Sequence, residues 1–62
     1  MFEITMQNGE VNDTYYGTIE GAPANFRDVP GFLGKNQFIL LLGSDGKELI
    51  LNTKNIITIA QD

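Results

Sequence analysis

The chain has 62 residues, a formal net charge of -4, 42% hydrophobic and 19% charged residues, and neither Cys nor His. A domain of this size buries only about 60% of the surface its unfolded chain exposes. Disulfides, zinc-finger spacings and Cys- or His-based catalysis are excluded, which leaves oligomerisation as the usual support for so small a fold. The acidic balance speaks against strong non-specific binding to nucleic acid, which basic surfaces drive, but leaves room for a local site using Arg27, Lys35 or Lys54.

In chain order, Phe2-Glu3-Ile4-Thr5-Met6-Gln7 alternates apolar with polar residues and predicts a strand with one buried face. Asn8-Gly9 predicts a tight reversal, with the polar Glu10 to Asp13 assigned to the turn. Thr14 to Ile19 is rich in β-branched and aromatic residues and predicts a second strand, in which Gly17 marks a bulge, bend or close backbone approach. Residues 21–36 hold both prolines (Pro23, Pro30), three glycines (Gly21, Gly31, Gly34) and two phenylalanines (Phe26, Phe32). Read as a whole, that segment shows neither helical nor strand periodicity and predicts a long loop. Phe26, Val29, Phe32 and Leu33 would anchor it on the barrel or on a neighbouring subunit.

Gln37 to Leu42 is the strongest strand, apolar on both faces and therefore expected to be buried on both, one face lining the core and the other meeting a partner or a covering loop. Ser44-Asp45-Gly46-Lys47 predicts a tight hairpin, Glu48 to Leu51 a fourth strand, Asn52 to Asn55 a single 3₁₀ turn or corner, and Ile56 to Ala60 a fifth strand. The expected fold is all-β: one domain over 1–62, a strongly bent five-stranded SH3-like or Sm-like barrel without a substantial helix. The longest apolar run, Phe38 to Leu42, falls far short of the roughly 20 residues that span a bilayer, and no cationic leader opens the chain. A cytoplasmic protein with no membrane partner is expected.

Three stretches together resemble the Sm-like superfamily, particularly its bacterial Hfq branch. Ile4 to Gly9 is similar to the first Sm strand running into its Asn-Gly turn. Gly17-Thr18-Ile19 resembles the glycine-then-apolar step of the strongly bent second strand. Phe38 to Ile59 is similar to the last three strands, with Leu51 to Ile59 resembling the Sm2 segment. The resemblance implies a homo-oligomeric ring, commonly of six or seven subunits, closed by pairing of the fourth strand (near 48–51) with the next chain's fifth (near 56–60). It also implies a pore-side site for short single-stranded RNA. Asn36 is the match to the base-pocket Asn of Sm1. Asn52, Thr53 and Lys54, with Asn55 beside them, occupy the Sm2 pocket stretch, where Lys54 supplies the one cation. The chain departs from the family in starting directly on a strand and in carrying the 21–36 excursion.

Residue chemistry points away from catalysis. Asp13, Glu20, Asp28, Asp45 and Glu48 are scattered among turns and strand ends, and such charges are mostly solvated. Ser44 has no His to activate it, and Gly31 to Gly34 lacks P-loop spacing. No catalytic residue, cofactor or metal is expected. Amide groups can read base edges and a lysine can neutralise phosphate, which makes Asn36, Asn52, Thr53, Lys54 and Asn55 the candidate RNA site; alternatively, Asn52 and Asn55 cap their own corner. Tyr15, Tyr16, Phe26 and Phe32 could stack on bases but in so small a core are expected to pack. Phe26, Arg27 and Phe32 form a second candidate surface. It belongs to the alternative function, an SH3-like structural or protein-interaction module whose long loop grips a protein.

Overall fold

In a computed structural model describing all 62 residues, the alternation of the first segment becomes strand β1 (Phe2–Asn8), which buries Phe2, Ile4 and Met6 and exposes Glu3. It is followed by β2 (Val11–Ile19), a 3₁₀ turn (Phe26–Asp28), helix α1 (Val29–Lys35), β3 (Phe38–Gly43), β4 (Glu48–Asn52), a second 3₁₀ turn (Thr53–Asn55) and β5 (Ile56–Gln61). All five strands lie in one antiparallel sheet, in the order β4-β3-β2-β1-β5. The fold is all-β with one short helix.

The first hairpin is tighter than the sequence suggested. Asn8 pairs with Val11, so only Gly9 and Glu10 form the loop, and Gly9 takes a φ of +68°. Glycine at the first central position is the arrangement of a type II′ turn. Asn12 and Asp13, expected in the turn, instead continue β2 opposite Gln7 and Met6. Asn12 lies on the solvated face, where Thr5 and Thr14 share a hydroxyl hydrogen bond of 3.2 Å, and Asp13, half-buried on the Met6 side, accepts at Oδ2 from Asn8 Nδ2 at 3.4 Å.

Gly17 is the point where β2 changes partner. Residues 11–17 pair with β1 and residues 17–19 with β3, so Gly17 is opposite both Phe2 and Gly43. A Cβ there would overlap the Leu42 carbonyl oxygen and come within 2.9 Å of Gly43 Cα. Only glycine lets the two backbones approach this closely, which selects close approach over a bulge as the role of this residue.

Eight buried residues form the core: Phe2, Ile4, Met6, Ile19, Val29, Ile39, Leu41 and Leu51. They come from β1, β2, α1, β3 and β4, so the core is shared by nearly the whole sheet and the helix. No polar side chain is buried among them.

Two expectations are corrected. First, residues 21–36 are not an irregular loop throughout. Val29, Phe32 and Leu33 stand at i, i+3 and i+4, one face of a helix; Val29 is fully buried and the other two are half-buried against the core. Pro30 sits in the first turn, where its missing N–H removes no intrahelical bond. Upstream, Asn25 Oδ1 accepts from Arg27 N at 3.0 Å and caps the 3₁₀ turn that leads into α1. Second, the 21–36 segment does not cover the outer face of β3, which leaves a partner as the remaining cover of the two expected. Ile39 and Leu41 enter the core, whereas Phe38 and Leu42 are exposed and Leu40 is half-buried. Ile50 on β4, paired with Leu40, extends this outer apolar strip and is 73% exposed. The helix packs on the core side of β3, so its outer face has no cover within the chain.

Candidate nucleic-acid interface

The β2–β3 connection and the β4–β5 corner meet at one end of the sheet. Thr53 N donates to the Gln37 carbonyl at 2.8 Å. The Thr53 hydroxyl is directed at the Asn36 carbonyl at 2.8 Å and at the Gln37 carbonyl at 3.1 Å, sharing its single proton between them. Asn36 Nδ2 in turn donates to the Phe32 carbonyl at 2.8 Å, across the last turn of α1. This chain of bonds holds the C-terminus of α1 against the 3₁₀ corner. Thr53→Val keeps the shape and removes the hydroxyl, and is expected to cost about 1 kcal/mol, the net worth of one such hydrogen bond, read as a lowered urea midpoint with an unchanged slope.

The candidate residues are divided by this geometry. Thr53 and Lys54 line a shallow depression together with Lys35 and Gln37. Asn36 lines the adjoining depression, which it shares with Arg27, Phe32 and, again, Lys35. Asn52 and Asn55 lie instead along a third depression, beside Asn8, Tyr15 and Ile50. Asn52 Oδ1 accepts from Lys54 N at 3.1 Å, so Asn52 caps the corner rather than offering its carbonyl to a base. Asn36 is likewise committed through its amide. The groups left to meet a ligand are the exposed amide of Asn55, in the third depression, and the ends of Lys54, Lys35 and Arg27; none of these four takes part in a side-chain hydrogen bond.

Charge is therefore segregated. Three of the four cations of the chain border two adjoining depressions, and of the eight carboxylates only Asp28 lines either one. Lys35 joins the two, a role that only the fold reveals: in the sequence it is an isolated cation after Gly34, and the helix brings it beside Lys54.

The aromatic residues mostly pack. Phe26 lies over Phe2 with ring centroids 6.3 Å apart at an interplanar angle of 29°, and keeps 37% of its surface exposed. Phe32 and Tyr15 are half-buried against the core, while Tyr16 is exposed. Of the candidate surface Phe26, Arg27 and Phe32, then, Arg27 is the one free of packing duties.

Gly31 and Gly34 lie inside α1, one in each depression. Neither has positive φ, and a Cβ at either would meet nothing within 4 Å. Each costs the helix about 0.8–1.0 kcal/mol relative to alanine, and no packing contact requires either of them.

No group of three or more carboxylates, His or Cys is placed to hold a metal ion, and no helix is long and apolar enough to cross a membrane. Comparison with protein-family models, curated proteins and solved structures gives no significant match.

Proposed function

We propose that the chain is a subunit of an Sm-like homo-oligomeric ring that binds short single-stranded RNA beside the β4–β5 corner. The observation that carries the reading is the sheet order. β4 and β5 are the two edge strands of the sheet, each hydrogen-bonded on one side only. An unpaired edge is a template for another chain, and pairing β4 of one subunit with β5 of the next satisfies both at once. The exposed Ile50 and Ile57 flank these edges and would be covered by such pairing. The RNA part rests on Lys54 and Thr53, held against Asn36 by the bonds described above, in a face where phosphate meets cations and few carboxylates.

Two measurements test it. Light scattering at micromolar concentration is expected to give a multiple of the 6.9 kDa chain mass. A clean monomer would remove the ring. Fluorescence polarisation with short oligo-U and oligo-A at low salt is expected to show binding, weakened several-fold by Lys54→Gln. The slope of log affinity against log salt should shrink by about 0.7 for each phosphate that is no longer neutralised. Binding of neither oligonucleotide would remove the RNA part. A monomer that also binds no RNA would favour the SH3-like interaction module instead.

A further inference from the structure

We infer that the RNA backbone does not stop at Lys54 but runs on across α1, from Lys54 past Lys35 to Arg27, with Gly31 and Gly34 forming the floor of the track. The inference deepens the RNA-binding reading and rests on it. Three observations combine. The two depressions share Lys35, which borders both. Gly31 and Lys35 are one turn of α1 apart, and Arg27, in the 3₁₀ turn before it, lines the same depression as both, so a cation stands at each end with bare backbone between. And the two helical glycines have no packing reason to be glycine.

A glycine kept in a helix against its propensity, with open space where its Cβ would be, leaves the surface low at that point. A strand of nucleic acid can then approach the helix backbone while the flanking cations reach its phosphates. From Arg27 to Lys35 the turn and helix rise about 12–13 Å, at about 1.5 Å per α residue and about 2.0 Å per 3₁₀ residue. That is room for about four nucleotides at the roughly 3.4 Å spacing of a stacked duplex strand, and for fewer of an extended single strand. Asp28 at the far end of the track disfavours phosphate locally, which places the stronger contacts at Lys35 and Lys54.

The test uses the full chain with fluorescent oligo-U of increasing length, titrated at several salt concentrations. Arg27→Gln and Lys35→Gln are each expected to weaken binding several-fold and to reduce the salt slope by about 0.7 for each phosphate they cease to neutralise. Gly31→Ala and Gly34→Ala are expected to raise the melting temperature while weakening binding, so loss of affinity cannot be a folding defect. Truncating the oligonucleotide below the length of the track should abolish the differences between Arg27→Gln and wild type. If wild type binds, Lys54→Gln weakens it and the Arg27, Lys35 and glycine variants all bind like wild type, the track is overturned and the pore-side site stands. If the glycine variants weaken binding but the two Gln variants leave the salt slope unchanged, phosphate is not what lies on the helix, and the track is overturned again. If wild type binds no oligonucleotide, both the track and the RNA reading fall.

Discussion

Gly17→Ala is expected to lower stability by about 3 kcal/mol or more, a large share of what so short a chain has. The added methyl has nowhere to go: it would overlap the Leu42 carbonyl and crowd Gly43 Cα, both backbone atoms in the paired strand β3. Backbone cannot rotate aside as a flexible side chain can, so β2 and β3 must separate at the point where β2 changes partner. Overpacking of this kind typically costs about 1–3 kcal/mol and occasionally more, and a clash with main chain belongs at the upper end. A chain of this length has only about 3–9 kcal/mol of stability in total, at about 0.05–0.15 kcal/mol per residue. Circular dichroism in urea provides the reading, with Gly31→Ala as the comparison. Alanine at that position meets open space and should stabilise by up to about 1 kcal/mol. If Gly17→Ala melts like wild type, β2 and β3 are not in the contact described.

Leu41→Ala should destabilise by about 2–5 kcal/mol, the range for removing a fully buried leucine side chain. In the same ladder Leu41 pairs with Leu49, and one position over Leu40 pairs with Ile50 on the opposite face. Ile50 is 73% exposed, so within a single chain Ile50→Ala should change stability by no more than about 0.5 kcal/mol. The pair therefore reports on two different things. Leu41 tests the core whatever the assembly state. Ile50 tests whether another chain covers β4: if subunits pair there, the wild-type melt depends on protein concentration, because association stabilises the folded subunit by mass action, and Ile50→Ala lowers it. Melts of both variants across a wide range of protein concentration distinguish the cases. A concentration-independent, silent Ile50→Ala alongside a costly Leu41→Ala would place the stability entirely within one chain.

Much of the fold was legible because strand signals are local and repeat. Phe2 to Met6 alternates with a period of two, and Ser44 to Lys47 and Asn52 to Asn55 carry their turns in a few residues. Helix α1 was not, because its apolar face repeats only once, as Val29, Phe32 and Leu33, in a stretch where Pro30, Gly31 and Gly34 are ordinarily breakers. Pro30 is compatible with a helix only because it falls in the first turn, and that could be known only once the start was fixed. The two-faced apolar run of β3 shows that a face avoids water, but composition alone does not say whether its cover comes from the same chain or from another. At the candidate site, Thr53 and Lys54 were visible in sequence. The part played by Lys35 was not, since it depends on a helix end meeting a corner far along the chain, a juxtaposition made by the hydrogen bonds of Thr53 to Asn36 and Gln37.

The sheet order carries one more implication. An interface that joins β4 to β5 uses two different surfaces of the same molecule, so each contact repeats one fixed rotation from subunit to subunit. Whether that repetition closes on itself or runs on as a filament depends on the angle between the two edges within a single chain. Between those edges lie β3, β2 and β1, and Gly17 is where β2 passes from pairing with β1 to pairing with β3. If subunits pair through β4 and β5, a residue in neither edge strand would bear on how many copies fit around the axis. Substitutions near that hand-over mild enough to fold would show themselves as a changed copy number, or as fibres, before they showed as a loss of stability.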